Sequence, residues 1–188
     1  MNPLPNKKYQ VIYADPPWKV QNASSVWYKC DNPIENKYPT MNIEEIKALP
    51  IKEISDKPSS LFLWTTHTFL KDALEVMESW GFKYHCCITW DKKSGFSVWG
   101  FHRRTEFCLF GYSGGINVNQ KGRFIPTLIV EPKRKHSQKP ILMRSWIENN
   151  SPKPRIELFA RERFDGWDAW GNELPNTTQK MLKTEANQ

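Results

Sequence analysis

The sequence predicts an α/β domain: a mainly parallel β-sheet with helices packed on both faces, in three layers. Short apolar runs that end at turn residues alternate along the chain with amphipathic segments of helical period. The length of 188 residues suits one domain, and 39% hydrophobic residues are enough to form a core. We expect one domain over residues 1–175 and a polar tail over residues 176–188.

Each predicted element rests on a local pattern. Apolar runs predict strands over residues 11–14, 60–65, 84–90, 105–112, 127–131 and 155–160, the last of which is the final strand of the chain. Helical spacing predicts helices over residues 43–49, 69–80 and 140–149. Asn42 is the expected N-cap of the first helix, and Gly81 is the expected C-terminal cap of the second. The polar segments 19–42 and 91–104 are predicted to be loops.

Ligands of such sheets bind beyond the carboxyl ends of the strands. The residues that follow predicted strands in this way are 15–18, 65–67, 91–93 and Arg161. We therefore expect the functional site among them.

Composition excludes several classes of protein. No apolar run approaches the roughly 18 residues needed to cross a bilayer, and the N-terminus lacks the apolar stretch of a secretory signal. The four cysteines have no C-x-x-C spacing, so we expect reduced thiols in a cytoplasmic protein rather than disulfides. The four histidines have no metal-binding spacing, and no metal site is expected.

The net charge of +7 is concentrated in the middle of the chain. Residues 1–90 contain ten basic and ten acidic side chains, residues 91–155 contain thirteen and four, and residues 156–188 contain four and six. A localised basic surface attracts nucleic acid, although it can also be a solvated face that keeps a protein soluble. Composition does not choose between the two.

The segment Asp15-Pro16-Pro17-Trp18 directly follows the first predicted strand. Two prolines fix two φ angles and remove two N–H donors, so this turn is stiff and presents acceptors beside a flat ring. Such a turn can hold a planar group with two N–H bonds, such as the exocyclic amine of a base. The alternative is a structural Pro-Pro turn with a surface aspartate.

The sequence from Tyr13 to Trp18 resembles the catalytic motif of the adenine-N6 methyltransferases related to the catalytic subunit of the mRNA adenosine methyltransferase. Phage and bacterial DNA-methylating enzymes belong to the same family. Further segments follow the family pattern in the same order, over roughly residues 9–175. These segments are Tyr38–Met41, Leu61–Thr65, Trp80–Phe82, Ile88–Trp90, Glu106–Gly111, Ser137–Pro140, Arg155–Arg161 and Gly171–Leu174.

This resemblance implies a Rossmann-like methyltransferase fold of permuted motif order, with S-adenosyl-L-methionine as cofactor. Asp15 and the carbonyl of Pro16 would hydrogen-bond the target amine. Pro17 would shape the turn, and Trp18 would stack on the base or wall it in. The nitrogen would then attack the methyl group in line, helped by positioning and desolvation.

The resemblance also implies the cofactor contacts, which are Asp15, Lys139, Glu157, Phe159, Arg161, Asn172 and Glu173. Glu157 would accept hydrogen bonds from the ribose hydroxyls. Lys139 and Arg161 would pair with the methionine carboxylate or other polar edges, and Asn172 would contact the adenosine end. Two alternatives stay open: Lys139 as a solvated lysine at a helix start, and Glu173 as a residue that only lines the pocket.

Both predicted loops would contact the polynucleotide, because cations beside aromatic rings suit a flipped base and its flanking phosphates. The candidates are Trp27, Tyr28 and Tyr38 in the first loop and Lys92, Lys93, Trp99, His102, Arg103 and Arg104 in the second. The alternative for Trp99 is packing within its own loop.

We expect DNA as the substrate, because the short single-domain build is more similar to phage and bacterial members than to the RNA-modifying complex. RNA is the second candidate. A non-catalytic nucleic-acid-binding partner is the third, but a scaffold has no need of the acidic Asp15 acceptor. A small-molecule methyltransferase fits the basic middle segment poorly. The small size also favours a homodimer, or a heterodimer with a related subunit.

Overall fold

The computed structural model of the protein describes residues 3–19, 39–98, 100–118, 124, 126–134 and 138–174. The candidate residues Trp27, Tyr28, Tyr38 and Trp99 lie outside the described residues, as does the predicted tail.

The described residues form one seven-stranded sheet with four α-helices. The strands are β1 Tyr9–Ala14, β2 Ser55–Thr65, β3 Lys83–Val98, β4 Phe101–Ser113, β5 Leu128–Val130, β6 Arg155–Leu158 and β7 Asp168–Trp170. The helices are α1 Ile43–Lys47, α2 Ile51–Ile54, α3 Leu70–Ser79 and α4 Ile141–Asn150, and a 3₁₀ turn over His67–Phe69 precedes α3.

The strand order is β5-β3-β4-β2-β1-β6-β7. Only β4 runs against its neighbours, and every other pair is parallel. Two residues separate β3 from β4, which is enough for a hairpin and far too few for a parallel crossover. The predicted α/β class with a mainly parallel sheet is confirmed.

Helices cover both faces of the sheet, as the alternate residues of the inner strand β1 show by pointing to opposite sides. Ile12 of β1 belongs to a core cluster with Ile46 of α1 and Val76 of α3. Tyr13, the next residue, belongs to a second cluster with Met143 and Ile147 of α4. The result is the three-layer arrangement that the sequence predicts.

Two helix boundaries follow their sequence signals. Asn42 caps α1 with a capping box, in which its side chain accepts the Glu45 N–H and the Glu45 carboxylate accepts the Asn42 N–H. After α3, Gly81 has a φ of +83°. Its N–H donates to the Glu78 carbonyl while the Phe82 N–H donates to the Met77 carbonyl, which is the Schellman pattern. No described helix has the length and apolar character needed to cross a membrane.

The predicted loop over residues 91–104 is wrong. These residues continue β3 and β4 as a two-stranded hairpin, paired from Phe96↔Arg103 to Val98↔Phe101. A ribbon that projects away from the core has no buried face, so it lacks the alternation that identifies a strand. The prediction that residues 155–160 form the last strand is also wrong, because β7 follows β6. The three residues of β7 are too few to show a period.

Candidate active site

The Asp15-Pro16-Pro17-Trp18 turn lies at the carboxyl end of β1, which is flanked by β2 and β6. Residues 39–41 fasten it from outside. Met41 donates its N–H to the Pro17 carbonyl at 2.8 Å, and its own carbonyl accepts the Lys19 N–H at 3.0 Å. The Trp18 N–H donates to the Pro16 carbonyl at 2.9 Å, so the turn closes on itself. The backbone of the motif is therefore held rigidly before any ligand arrives.

Trp18 is fixed by two contacts of its ring. Its Nε1 donates to the Trp64 carbonyl at 3.2 Å. Its ring stacks on Phe69, with the ring centroids 5.6 Å apart and the planes 15° from parallel. Because one face of the indole is occupied by Phe69, this geometry suits a wall beside a bound base.

A row of four alternating charges connects Asp15 to the base of the hairpin. Lys139 Nζ lies 2.9 Å from Asp15 Oδ2 and 3.2 Å from Glu106 Oε2. The other oxygen of Glu106 lies 3.0 Å from Lys92 Nζ. The exposed fractions of these side chains are only 15–27%, so water screens the row weakly. We call these four residues the charge row.

The pKa shifts of Glu106 and Lys139 favour the ionised forms of these two residues. Burial alone would raise the pKa of Glu106, but the Lys139 and Lys92 cations bring it below the ordinary value. Burial likewise would lower the pKa of Lys139, and the Asp15 and Glu106 carboxylates raise it above the ordinary value. Lys139 thus stays charged where it touches Asp15.

A cleft of about 310 Å³ opens beside Asp15, within the range of small-molecule sites. It lies between the turn after β1, residues 39–41 and the chain that follows β6 and β7. The lining residues are Asp15, Pro17, Pro39, Thr40, Met41, Glu45, Phe159, Arg161, Trp170, Gly171, Asn172 and Glu173. Five of the seven predicted cofactor contacts are among them, although they come from opposite ends of the chain. They meet because β1 pairs directly with β6.

The chain bends sharply where it forms the far wall of the cleft. Phe159 follows β6 with a φ of +60°, a left-handed conformation that is costly for a residue with a side chain. Its ring meets Trp170 edge-on, with the centroids 5.5 Å apart. Gly171 packs so closely that an added Cβ would lie 2.4 Å from the Ala160 carbonyl oxygen. This wall depends on a strained residue and on a glycine.

Polar groups of both charges line the same wall. Arg161 Nε lies 3.4 Å from Glu173 Oε1, and both side chains are about one-third or more exposed. Asn172 stands beside Glu173. With Asp15 across the cleft, the wall offers a cation, carboxylates and an amide to a ligand that has hydroxyl, amino and carboxylate groups.

Glu157 and Lys139 are the two predicted cofactor contacts that do not line the cleft. Glu157 Oε2 lies 2.6 Å from Nη2 of Arg144. The Arg144 guanidinium in turn lies 3.8 Å from the Phe164 ring centroid and 5.1 Å from that of Trp167. Burial raises the pKa of Glu157 despite this cation. Lys139 faces Asp15 and Glu106, so it is not the solvated lysine of the alternative interpretation.

The predicted nucleic-acid contacts of the hairpin differ from one another in the structure. Lys92 belongs to the charge row, and Arg104 forms a two-point ion pair with Asp91, holding the pKa of that carboxyl at about 2. Lys93 and His102 are exposed. Arg103 donates to Thr68 Oγ1 at 3.3 Å. Lys92 and Arg104, which lie nearest the sheet, are thus already ion-paired within the protein.

Sequence reasoning gave no role to Glu106, which joins the two lysines of the charge row. The available signal was its place beside a run of apolar strand residues, where an unpaired carboxylate would be costly. Arg144 was missed for another reason. It stands in an ordinary helical segment, and only the packing of α4 on the sheet brings it to Glu157.

Comparison with known proteins gives the class. The sequence profile of the MT-A70 family matches residues 9–173. The type II methyltransferase M.MunI of Mycoplasma sp is 37% identical over 92% of this chain and 81% of its own length. The human N(6)-adenosine-methyltransferase catalytic subunit METTL3 is 29% identical over 89% of this chain, and the mouse N(6)-adenine-specific methyltransferase METTL4 is 28% identical over 93%. The chain spans 28% of METTL3 and 40% of METTL4.

The fold and the turn after β1 define a methyltransferase domain. The chain belongs to the MT-A70 family of adenine-N6 methyltransferases. The family uses S-adenosylmethionine, and the carboxylates, guanidinium and amide that line the cleft fit a molecule with amino, carboxylate and hydroxyl groups.

Proposed function

We propose that this protein transfers a methyl group from S-adenosyl-L-methionine to the exocyclic N6 amine of adenine in DNA. The observation that supports this most strongly is the position of Asp15. Its carboxylate lines the cleft and is at the same time fixed by the buried Lys139 cation, 2.9 Å away. An acidic acceptor that is both exposed to a ligand and held rigidly is what recognition of an amine requires.

Asp15 and Pro16 would hold the amine by its two hydrogens. Lys139 fixes Oδ2 of Asp15, and the carboxylate has a second oxygen that can accept one N–H bond. The Pro16 carbonyl accepts the Trp18 N–H and has a further lone pair for the other. With both hydrogens held out of the base plane, the nitrogen lone pair is less delocalised into the ring and better able to attack.

The cofactor supplies an electrophilic methyl group, and the residues of this chain supply position. We propose that Phe159, Arg161, Asn172 and Glu173 hold it in the cleft, on the same side of the turn as Asp15. Holding both reactants in line replaces a bimolecular encounter and accounts for most of the catalysis. No strong base is needed, because the amine nitrogen can lose its proton after the methyl group has arrived.

DNA is favoured over RNA by the comparison of relatives. The bacterial type II methyltransferase M.MunI is 37% identical, against 29% for human METTL3. The basic residues of the hairpin suit either polynucleotide, so RNA is the alternative outcome of the experiment.

The test is methyl transfer from radiolabelled S-adenosylmethionine to duplex DNA, single-stranded DNA and RNA, followed by digestion to identify the modified nucleoside. We expect N6-methyladenine in DNA with the wild type. Asp15→Ala should lower the rate at least about a hundredfold, the usual effect of losing a group that contacts the reacting atoms.

Cofactor binding, measured by calorimetry on both proteins, separates the alternatives. If RNA alone is methylated, the substrate assignment is wrong and the chemistry stands. If the wild type methylates nothing and binds no cofactor, the protein is a non-catalytic partner.

A further inference from the structure

The hairpin of β3 and β4 extends well beyond the sheet. Strand β2 pairs with β4 only as far as Phe107, and β5 pairs with β3 only as far as Asp91. Among the described residues, 96–98 pair with 101–103, and no other strand pairs with residues 93–98 or 101–104. We call this two-stranded extension the arm.

One face of the arm presents two large apolar rings to solvent. Phe96 is 52% exposed and Phe101 is 75% exposed. The register pairs Phe96 with Arg103, and side chains alternate along a strand, so Phe96, Phe101 and Arg103 share one face. Exposed aromatic rings that stand together on a projecting ribbon are costly in water unless something covers them.

The charge around these rings is positive. From residue 92 to residue 104 the chain contains four lysines and arginines and no acidic residue. Lys92 and Arg104 are ion-paired at the base of the arm with Glu106 and Asp91. Within the described part of the chain, no ion pair neutralises Lys93 or Arg103. The ligand that complements this face is therefore both anionic and rich in flat apolar surface, as a nucleic acid is.

The arm starts at the active site and has the length to reach into a duplex. Its base contains Glu106 of the charge row, next to Lys139 and Asp15. Phe101 lies four residues beyond Thr105, a reach of about 13 Å at the rise of a β-strand. The major groove is about 8.5 Å deep and admits a two-stranded ribbon. A ring at position 101 can therefore reach the base stack while the protein sits on the backbone.

We propose that the face of the arm that contains Phe96 and Phe101 inserts into the base stack of a nucleic-acid duplex, beside the adenine that is methylated. The inference rests on the proposed function, which requires that adenine to leave the duplex. Flipping costs stacking energy, and an aromatic ring that occupies the vacated space replaces part of it. Arg103, on the same face, contacts the adjacent phosphate.

The test uses a 30-base-pair duplex with 2-aminopurine in place of several adenines, and one of its strands alone. The fluorescence of 2-aminopurine rises when it is unstacked, and anisotropy of an end label reports binding. We compare the wild type, Phe101→Ala and Tyr84→Ala. Tyr84 is a matched control, since this aromatic ring is 48% exposed but lies near the start of β3, at the end of the hairpin away from the arm.

With the wild type we expect duplex binding and a rise in 2-aminopurine fluorescence. Phe101→Ala should bind the duplex about tenfold more weakly and abolish the rise, while Tyr84→Ala should behave as the wild type. Binding to the single strand should change less than threefold in both variants, because a single strand has no stack to open.

Three outcomes would overturn the inference. The first is that the wild type does not bind the duplex, and the second is that Phe101→Ala binds it normally. The third is that Phe101→Ala weakens binding to the duplex and to the single strand equally, which would assign the rings to a single-strand platform. A fall in the sedimentation coefficient of Phe101→Ala without nucleic acid, with duplex binding unchanged, would assign them to contact between copies of the chain. Neither the 2-aminopurine fluorescence nor the anisotropy depends on methyl transfer. A protein that gives the expected optical results but transfers no methyl group would therefore contradict the proposed function and not this inference.

Discussion

Lys139 brings its positive charge to a nearly buried position between the carboxylates of Asp15 and Glu106. Removing an ion from water costs several kcal/mol, and here two acidic partners and the face of the Trp64 ring, 5.4 Å away, offset that cost. Its position also has a chemical consequence. The fixed cation holds one oxygen of the Asp15 carboxylate in place at the edge of the cleft.

Glu106→Gln tests the charge row at the level of one residue. The substitution leaves Lys139 and Lys92 facing each other without the carboxylate between them. We expect a loss of about 3 kcal/mol in the free energy of unfolding, measured by urea titration at pH 7, since breaking a buried pair strands the remaining charge. Glu78→Gln, an exposed glutamate on α3, is the control and should change stability by less than about 0.5 kcal/mol.

The same variant gives a prediction for pH. The folded-state pKa of Glu106 lies below the ordinary 4.5, so its ionised form stabilises the fold above that pH. This contribution disappears as the pH falls from 4.5 through the folded-state pKa. The difference in stability between the wild type and Glu106→Gln should therefore shrink between pH 5 and pH 3. A constant difference over that range would show that Glu106 acts through packing and not through its charge.

At the scale of the elements, the C-terminal end of α4 is held by a side chain of the next strand. Arg155, 6% exposed at the start of β6, donates to the Glu148 carbonyl at 2.7 Å, to the Pro152 carbonyl at 3.0 Å and to the Ser151 carbonyl. These are carbonyls at the helix end and just beyond it, where no intrahelical donor remains. One guanidinium thus joins α4 to the strand that leads into the cleft wall.

Arg155→Met should cost about 2–3 kcal/mol in the free energy of unfolding, because several buried carbonyls lose a charged donor. Arg155→Lys should recover less than half of this, since an ammonium cannot reproduce the planar fork. Thermal unfolding followed by circular dichroism gives the comparison, with Arg163→Met as an exposed control. Equal stability of the Lys variant and the wild type would mean that charge alone holds this helix end.

At the level of the whole molecule, the described lysines and arginines of residues 91–155 fall into two groups, those that contact a carboxylate and those that do not. Lys92, Arg104, Lys139 and Arg144 each contact a carboxylate. The excess positive charge over residues 91–155 is therefore not all available to a ligand. Nucleic-acid affinity should depend on the cations that lack an acidic partner.

The salt dependence of duplex binding shows which of these cations contact phosphates and which stay ion-paired within the protein. Each phosphate contact contributes about 0.9 to the slope of log K against log salt concentration. Arg103→Gln should reduce the slope by about one. The charge-balanced double variant Asp91→Asn with Arg104→Gln should leave the slope unchanged, because it removes an internal ion pair. A reduced slope in the double variant would mean that Arg104 leaves Asp91 to bind phosphate.

Much of the fold could be predicted from local sequence. Six strands and three helices have apolar runs or helical spacing long enough to identify, and Asn42 and Gly81 mark helix ends by their own backbone chemistry. The elements that were missed are α2, with four residues, β7, with three, and the arm, which has no buried face. In each case the signal fails because too few buried residues are present to set a period.

The amino-acid sequence was enough to predict the three-layer α/β class, the family and the turn after β1, since two prolines and a buried strand fix that turn locally. Which distant groups meet at this turn depends on the tertiary structure. Pairing of β1 with β6 brings Asp15 to residues 159–173, and packing of the segment before α4 brings Lys139 between Asp15 and Glu106. Such contacts depend on strand order and burial, which are properties of the assembled sheet and not of any one segment.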